Sequence, residues 1–377
     1  MNIRLMKIVD GFLGRLSVKL LLKAPADASA TKADSILLIR PGGIGDAVHL
    51  VPAIQAVRMK FPSAQISVLA ERRNASVFQF CPDVHRVLLY DRPSDLLTAL
   101  RGGYDVVIDS EQWHRLSAVV ARLTRAPLLI GFATNERARL FSHPIEYSHD
   151  DYEVDSFFNL LAPLGIEPTQ PAERFLTVPA AAAEKGAELL ALLGGRQFVT
   201  IFPGASIAER RWGAERFGRL AQMLAAYGIA VVVVGGKEDR EQGEAIVSDR
   251  PGLNLAGRTS LVETAAVINR GALLVGGDSG VLHIAVGLGR PTVSLFGPGR
   301  ARKWAPRGDR HCVINKGLPC SPCTTYGTTP PCRIDALCMR EIGVEEVLNA
   351  VTILLASTGA IPPSCCKRGW LEVGVSA

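Results

Sequence analysis

From residue 35 onward, short apolar runs alternate with helix-length segments, and the series runs through twice. Strands are expected at 35–40, 66–70, 86–89, 105–109 and 128–131, then at 198–202, 230–234, 253–255, 273–275 and 292–296. Helical patterns fall among them at 51–60, 115–123, 215–227 and 282–287. Runs such as SILLIR and VVVV are apolar at successive positions, as strands covered on two sides must be. The pattern predicts an α/β fold of parallel sheets with helices on both faces. The series pauses between 163 and 193, where Pro163, Pro168, Pro171 and Pro179 precede an alanine-rich helix. Two Rossmann-like halves follow, with ligands expected beyond the carboxyl ends of the strands, in the cleft between them. At 377 residues, 48% hydrophobic and 21% charged, the chain is long enough for two cores and too apolar for disorder.

The net charge of +6, with only 6% aromatic residues, gives no basic-aromatic stripe, so nucleic acid is not an expected partner. An anionic substrate or an anionic membrane surface suits the charge. Ahead of the first strand, Arg4 and Lys7 precede apolar residues, and Ala28-Ser29-Ala30 resembles a signal-peptidase site. Asp10, Arg15 and Lys19 interrupt the apolar region and argue against export. On a helical wheel Leu5, Val9, Phe12, Leu13, Leu16 and Leu20 share one face, opposite Arg4, Lys7, Asp10 and Arg15. Segment 1–34 is thus amphipathic, and it either lies on an anionic membrane or packs on the domain. No stretch of about 20 apolar residues is long enough to span a bilayer. The expected location is cytoplasmic, with peripheral contact on the inner membrane face as one use of the segment.

Four loops fall at strand ends. In PGGIGDAVH, three glycines in four residues (Gly42, Gly43 and Gly45) lead to Asp46 where a strand gives way to a helix. The loop lacks the Lys-Ser/Thr of a P-loop, and Val48 stands where a dinucleotide fingerprint needs its third glycine. Asp46 near a helix N-terminus is either a capping residue or a catalytic acid or base. In GGDSGVLHIAVGLGRPTVSLFGP, Asp278 and Ser279 end a strand, Gly280 removes bulk and His283 follows one turn into a helix. Free N–H groups there suit an anion, while Asp-Ser is also a good cap and His283 a plausible core histidine. FPGASIAERRW offers the Ser206 hydroxyl and the fixed charges of Arg210 and Arg211 to a diphosphate. VVVVGGKED carries Lys237, Glu238 and Asp239 to a place suited to base or ribose contact.

Together GGIGDAVHLVPAI, PGAS followed by RRW, and GDSGVLHIAVGLGRPTVSLFGP resemble glycosyltransferase family 9, the heptosyltransferases that use ADP-heptose to extend the lipopolysaccharide inner core. The resemblance runs from about residue 35 to 350. It implies a GT-B fold, with an acceptor-binding half at 35–175, a nucleotide-sugar half at 176–342 and a final helix crossing back within 343–377. It further implies inverting transfer to a lipid-linked saccharide, with Asp46 as general base in a loop shaped by Gly43 and Gly45. Ser206 and Arg210 match diphosphate contacts, although the family usually has lysine where Arg210 stands. Asp278, Ser279, Gly280 and His283 match the donor motif, and Glu238 resembles a nucleoside contact. Protein cations and helix N–H groups then serve the leaving group, so catalysis needs no cofactor. Arg58, Lys60, Arg72 and Arg73 in the first half would suit an anionic acceptor.

Cys320, Cys323, Cys332 and Cys338 lie in a Pro-, Gly- and Thr-rich insertion at 312–338. Their spacing fits a structural zinc or iron–sulfur site, unligated thiols or disulfides. Cys365-Cys366 near the end of the chain have no readable role. Two other readings stand beside transfer: a non-catalytic nucleotide-sugar-binding or scaffolding relative, and a GT-B epimerase. Epimerisation needs acid–base groups on both faces of a sugar carbon, and the first loop offers one evident carboxylate.

Overall fold

The computed structural model describes residues 10–24, 32–325 and 328–362. Arg4, Lys7, Leu5, Val9, Ala28-Ser29-Ala30 and Cys365-Cys366 lie outside the described residues. The chain divides into two compact units, Met1–Thr177 and Val178–Ala377. The first holds strands β1 (Ser35–Arg40), β2 (Gln65–Ala70), β3 (Arg86–Leu89), β4 (Val106–Asp109), β5 (Leu128–Phe132) and β6 (His143–Ile145). The second holds β7 (Phe198–Phe202), β8 (Ala230–Val233), β9 (Gly252–Asn254), β10 (Leu274–Gly277), β11 (Thr292–Phe296) and β12 (His311–Asn315). Each sheet is parallel throughout, in the orders β3-β2-β1-β4-β5-β6 and β12-β11-β10-β7-β8-β9. These are one topology built twice: in each unit the first strand pairs with the second on one side and the fourth on the other. The direction of winding reverses between β1 and β4, and between β7 and β10, and ligands of open α/β sheets bind at that point.

All ten expected strands form, with ends shifted by at most two residues. Leu37, Leu38 and Ile39 of β1 are fully buried, so that sheet is covered on both faces. The two strands not anticipated, β6 and β12, are both edge strands. Each is short and broken in pattern, with Pro144 in the middle of β6, where an edge tolerates a missing N–H. The first long helix spans Ile44–Lys60 and runs through Pro52, beginning well before the expected 51. An interior proline costs about 3 kcal/mol. Ten buried side chains on that helix, from Ala47 to Val57, outweigh it.

At the N-terminus a π-helical turn, Asp10–Gly14, leads into the helix Arg15–Leu20, which packs on the first unit. It does so by the side that carries Asp10, Gly14 and Val18. Asp10 accepts hydrogen bonds from Arg115 N and Leu116 N, each at 2.8 Å, and so caps the helix Arg115–Leu123. The apolar side is left outward, with Phe12 74% and Leu20 76% exposed. In the second unit the helix Val344–Ser357 buries Val347, Val351 and Leu355 against the core that also holds Trp212, whose indole donates to Ile342 O at 2.9 Å.

Candidate active site

At the first reversal point, β1 ends in Arg40, whose guanidinium is buried and fully engaged. Nε donates to Pro41 O (2.8 Å), Nη1 to Ser110 O (2.7 Å) and Nη2 to Glu111 Oε2 (3.0 Å) and Gln112 Oε1 (3.2 Å). Burial works against its charge, but Asp46, Glu111, Glu153 and Asp109 surround it and raise its pKa. Gly42 has φ of +115°, a backbone conformation that side chains disfavour. Gly43 precedes the helix, Gly45 lies in its first turn, and Asp46 follows, half-buried. Asp46 Oδ1 accepts from Gln112 Nε2 at 3.2 Å. A Cβ at Gly43 would come within 3.0 Å of Asp46 Oδ2, so the glycine keeps that second oxygen uncrowded.

Gln112 links this carboxylate to another, since the same Nε2 reaches Glu153 Oε1 at 2.6 Å. Tyr147 donates to Glu153 Oε2 at 3.0 Å; burial first, then the charge of Glu153, push the Tyr147 phenol far above its ordinary value. Behind them Arg137 is buried against the Asp109 carboxylate and Glu111 O. The sequence reading missed Arg40, Glu111, Gln112 and Glu153. The available signal was SEQ directly after VVID, a run of polar residues at the end of the strand beside β1. Arg58, expected to face an acceptor, instead donates to the carbonyls of Pro62 and Ala64 at 2.8 Å and of Asp83 at 3.0 Å. Arg72 and Arg73 pair with Asp91 and Glu71.

At the second reversal point, the loop after β7 and the loop after β10 are joined by an ion pair. Arg210 Nη1 lies 3.0 Å from Asp278 Oδ2, both largely buried. A Cβ at Gly299 would fall 2.3 Å from that same Asp278 oxygen, which explains the glycine after β11. Arg210 Nη2 also donates to Thr324 Oγ1 at 3.4 Å, and the Nε of Arg210 is buried without a hydrogen-bond partner among the described residues. Ser279 caps the helix Gly280–Gly287 by accepting from Leu282 N at 3.3 Å, with Gly280 as its first residue. His283 sits inside that helix, and burial pushes its pKa down to about 3, so it is neutral.

Ser206 and Glu238 are exposed, on the loops after β7 and β8. Asp239 is wedged between those loops: a Cβ at Gly204 or at Gly235 would lie 2.6 Å from its carboxylate oxygens. It accepts from Gly236 N at 2.9 Å, closing the turn that carries Glu238. Burial raises its pKa, and Arg211 opposes that shift. The sequence reading did not separate Asp239 from its neighbours, nor did it give Thr324 any role.

The four cysteines line one cavity of about 330 Å³ with Glu209 and Pro298. Of the three readings open for them, the structure favours free thiols: among the described residues no three His, Cys, Asp or Glu side chains are grouped to hold a metal ion, and these cysteines are unpaired to one another. Each thiol has a different local task. Cys338 is buried in the core of the second unit, Cys332 Sγ accepts from Ala336 N at 3.2 Å, and Cys320 is exposed. Burial first, then neighbouring thiols, raise the pKa of Cys323 and Cys338. The segment instead clamps the β11 end: Cys323 N and Thr324 N both donate to Pro298 O, and Ser321 Oγ donates to Gly297 O.

The model of glycosyltransferase family 9 (heptosyltransferase) matches residues 94–333. Lipooligosaccharide heptosyltransferase 2 of Haemophilus influenzae is 27% identical over 317 residues, 74% of this chain and 88% of that protein. The structure of Escherichia coli ADP-heptose LPS heptosyltransferase II superposes with a TM-score of 0.72 at 22% identity, over 86% of this chain and 99% of its own. An E. coli heptosyltransferase with ADP-2-deoxy-2-fluoro heptose gives 0.65 at 18% identity, over 85% and 99%. The structural likenesses establish a shared GT-B fold. With its family model spanning well over half the sequence, the chain belongs to glycosyltransferase family 9, the heptosyltransferase family.

Proposed function

We propose that the protein moves a heptose, or a closely related sugar, from an ADP-sugar to a hydroxyl of a lipid-linked saccharide of the lipopolysaccharide inner core, with inversion. Asp46 accepts the proton of the acceptor hydroxyl as that oxygen bonds to the anomeric carbon. The bond from that carbon to the diphosphate breaks, and its electron pair leaves with ADP. The observation that carries this reading is the state of Asp46: one oxygen is fixed by Gln112 and the other faces the bare Gly43. A positioned base of this type contributes about 10²–10⁴-fold.

On the second unit, Arg210, Ser206 and the N–H groups of the helix Gly280–Gly287 receive the diphosphate, and Glu238 contacts the nucleoside. Asp278 holds the Arg210 guanidinium in place and accepts from a sugar hydroxyl. These fixed positive groups meet the developing charge without a divalent ion. The six described cysteines are all free thiols, which suits a reducing, cytoplasmic setting. Among the described residues no helix is long and apolar enough to cross a membrane.

A thermal-shift titration with ADP, and with UDP and GDP as controls, tests the donor assignment. At about 100 times its dissociation constant ADP adds roughly 2.7 kcal/mol of stability. Selective stabilisation by ADP is the expected result. Preference for UDP or GDP refutes the ADP-sugar, and indifference to all three refutes nucleotide-sugar binding.

A further inference from the structure

The N-terminal helix presents its apolar side away from the protein. Phe12, Leu13, Leu16 and Leu20 are 74%, 49%, 49% and 76% exposed, although they recur at the spacing of a helix face that is normally buried, and Leu22, just past the helix, is 80% exposed. The opposite side, Asp10, Gly14 and Val18, is the one that packs. Its fit is specific. A Cβ at Gly14 would lie 2.9 Å from Arg115 Cβ, and Asp10 caps the helix Arg115–Leu123. The helix therefore cannot be turned over to hide its leucines without losing that cap and that close approach.

The exposed row has a basic fringe. Arg15, Lys19 and Lys23 are exposed beside it, as is Arg139, and Arg122 Nε reaches Leu22 O at 3.1 Å. Among the acidic groups in contact with these residues, Asp10 is buried in the packing side and Glu136 is held by Arg115 at 2.6 Å and by Arg15 at 3.6 Å. An apolar row edged by cations complements a surface with anionic headgroups above hydrocarbon. A second copy of the chain fits less well: like charges would face each other across the two-fold. One short helix also falls well below the roughly 800 Å² per partner of a stable interface.

We propose that the outward face of residues 12–23 docks the first unit onto an anionic phospholipid bilayer. Phe12, Leu13, Leu16, Leu20 and Leu22 enter the boundary between headgroups and acyl chains, while Arg15, Lys19 and Lys23 meet headgroup phosphates. Resting on the transfer reading above, this keeps the unit that carries Asp46 at the surface where a lipid-linked acceptor resides.

The test is flotation of the full-length protein with phosphatidylcholine vesicles, with and without phosphatidylglycerol. The native chain is expected to float with the anionic vesicles, less so as salt is raised, and poorly with phosphatidylcholine alone. Leu16→Ser/Leu20→Ser and Lys19→Glu/Lys23→Glu should each lower the bound fraction by at least about tenfold. Turnover on a water-soluble, delipidated acceptor should stay unchanged in both. Failure of the native chain to float, or flotation unaltered in the leucine variant, overturns the proposal. So does a concentration-dependent dimer that the leucine variant abolishes. Vesicle binding that follows these rules in a protein inactive on every acceptor would sink the transfer reading and leave the docking surface standing.

Discussion

Arg210 makes two contacts that the sequence alone did not show. The resemblance of its place before Trp212 proposes it for a diphosphate, and in the structure one nitrogen is bound to Asp278 and another reaches Thr324 in the cysteine segment. Thr324 is ordinary in sequence. It matters only because the chain folds back over the β11 end, and no local pattern announces that. His283 shows the converse. Its spacing after Asp278 was visible, but not that burial keeps it neutral. The sign of its pH effect follows. Below its unfolded value of about 6.5 the unfolded chain takes up a proton that the folded chain refuses down to about 3, so stability is lost as pH falls through that window. By pH 5 the loss from this residue is about 2 kcal/mol. The stability gap between the native chain and His283→Gln, from urea unfolding, should therefore shrink by about that amount between pH 7 and pH 5. A constant gap would show that the imidazole is not shielded.

At the scale of elements, the strands written in uninterrupted apolar residues were all legible, while β6 and β12 were not. An edge strand needs to satisfy only one neighbour, so it can be short and can contain Pro144. The N-terminal helix was legible as amphipathic but not in which way it faces. Asp10 looked like solvent-side polarity, and tertiary structure instead uses it as a cap for the helix Arg115–Leu123, more than a hundred residues away. Burial works against the Asp10 charge, but hydrogen bonds from His114, Leu116 N and Arg115 N win and hold its pKa below the ordinary value. Asp10→Ala should cost about 0.5–2 kcal/mol, the range of a lost N-cap. The difference should be full above pH 4 or so and fade as acid protonates the carboxyl. Chemical denaturation at pH 7 and pH 3 checks both statements, and an equal cost at the two pH values would remove the charge from the explanation.

At the scale of the whole molecule, one topology serves twice, and each copy gathers its candidate groups where its winding reverses. Asp46 after β1 meets Gln112 after β4, and Arg210 after β7 meets Asp278 after β10. The glycine-rich loops marked these places in the sequence because glycine is needed where carboxylates and backbone approach closely, as Gly43 and Gly299 do. The partners across each reversal point were hidden, since Gln112 and Glu153 owe their position to strand order and not to any motif. The cysteine spacing left three readings open, and although the four residues line one cavity, the described ones are free thiols not grouped to hold a metal ion. The most direct test of the account is heptosyl transfer from ADP-heptose to a lipid-linked inner-core acceptor by the native chain and by Asp46→Asn, with ADP affinity measured on both. Transfer by the native chain, a fall of about 10²–10⁴-fold in the variant and unchanged ADP binding are the expected results. A variant that keeps its rate would contradict the assignment of Asp46 as the base.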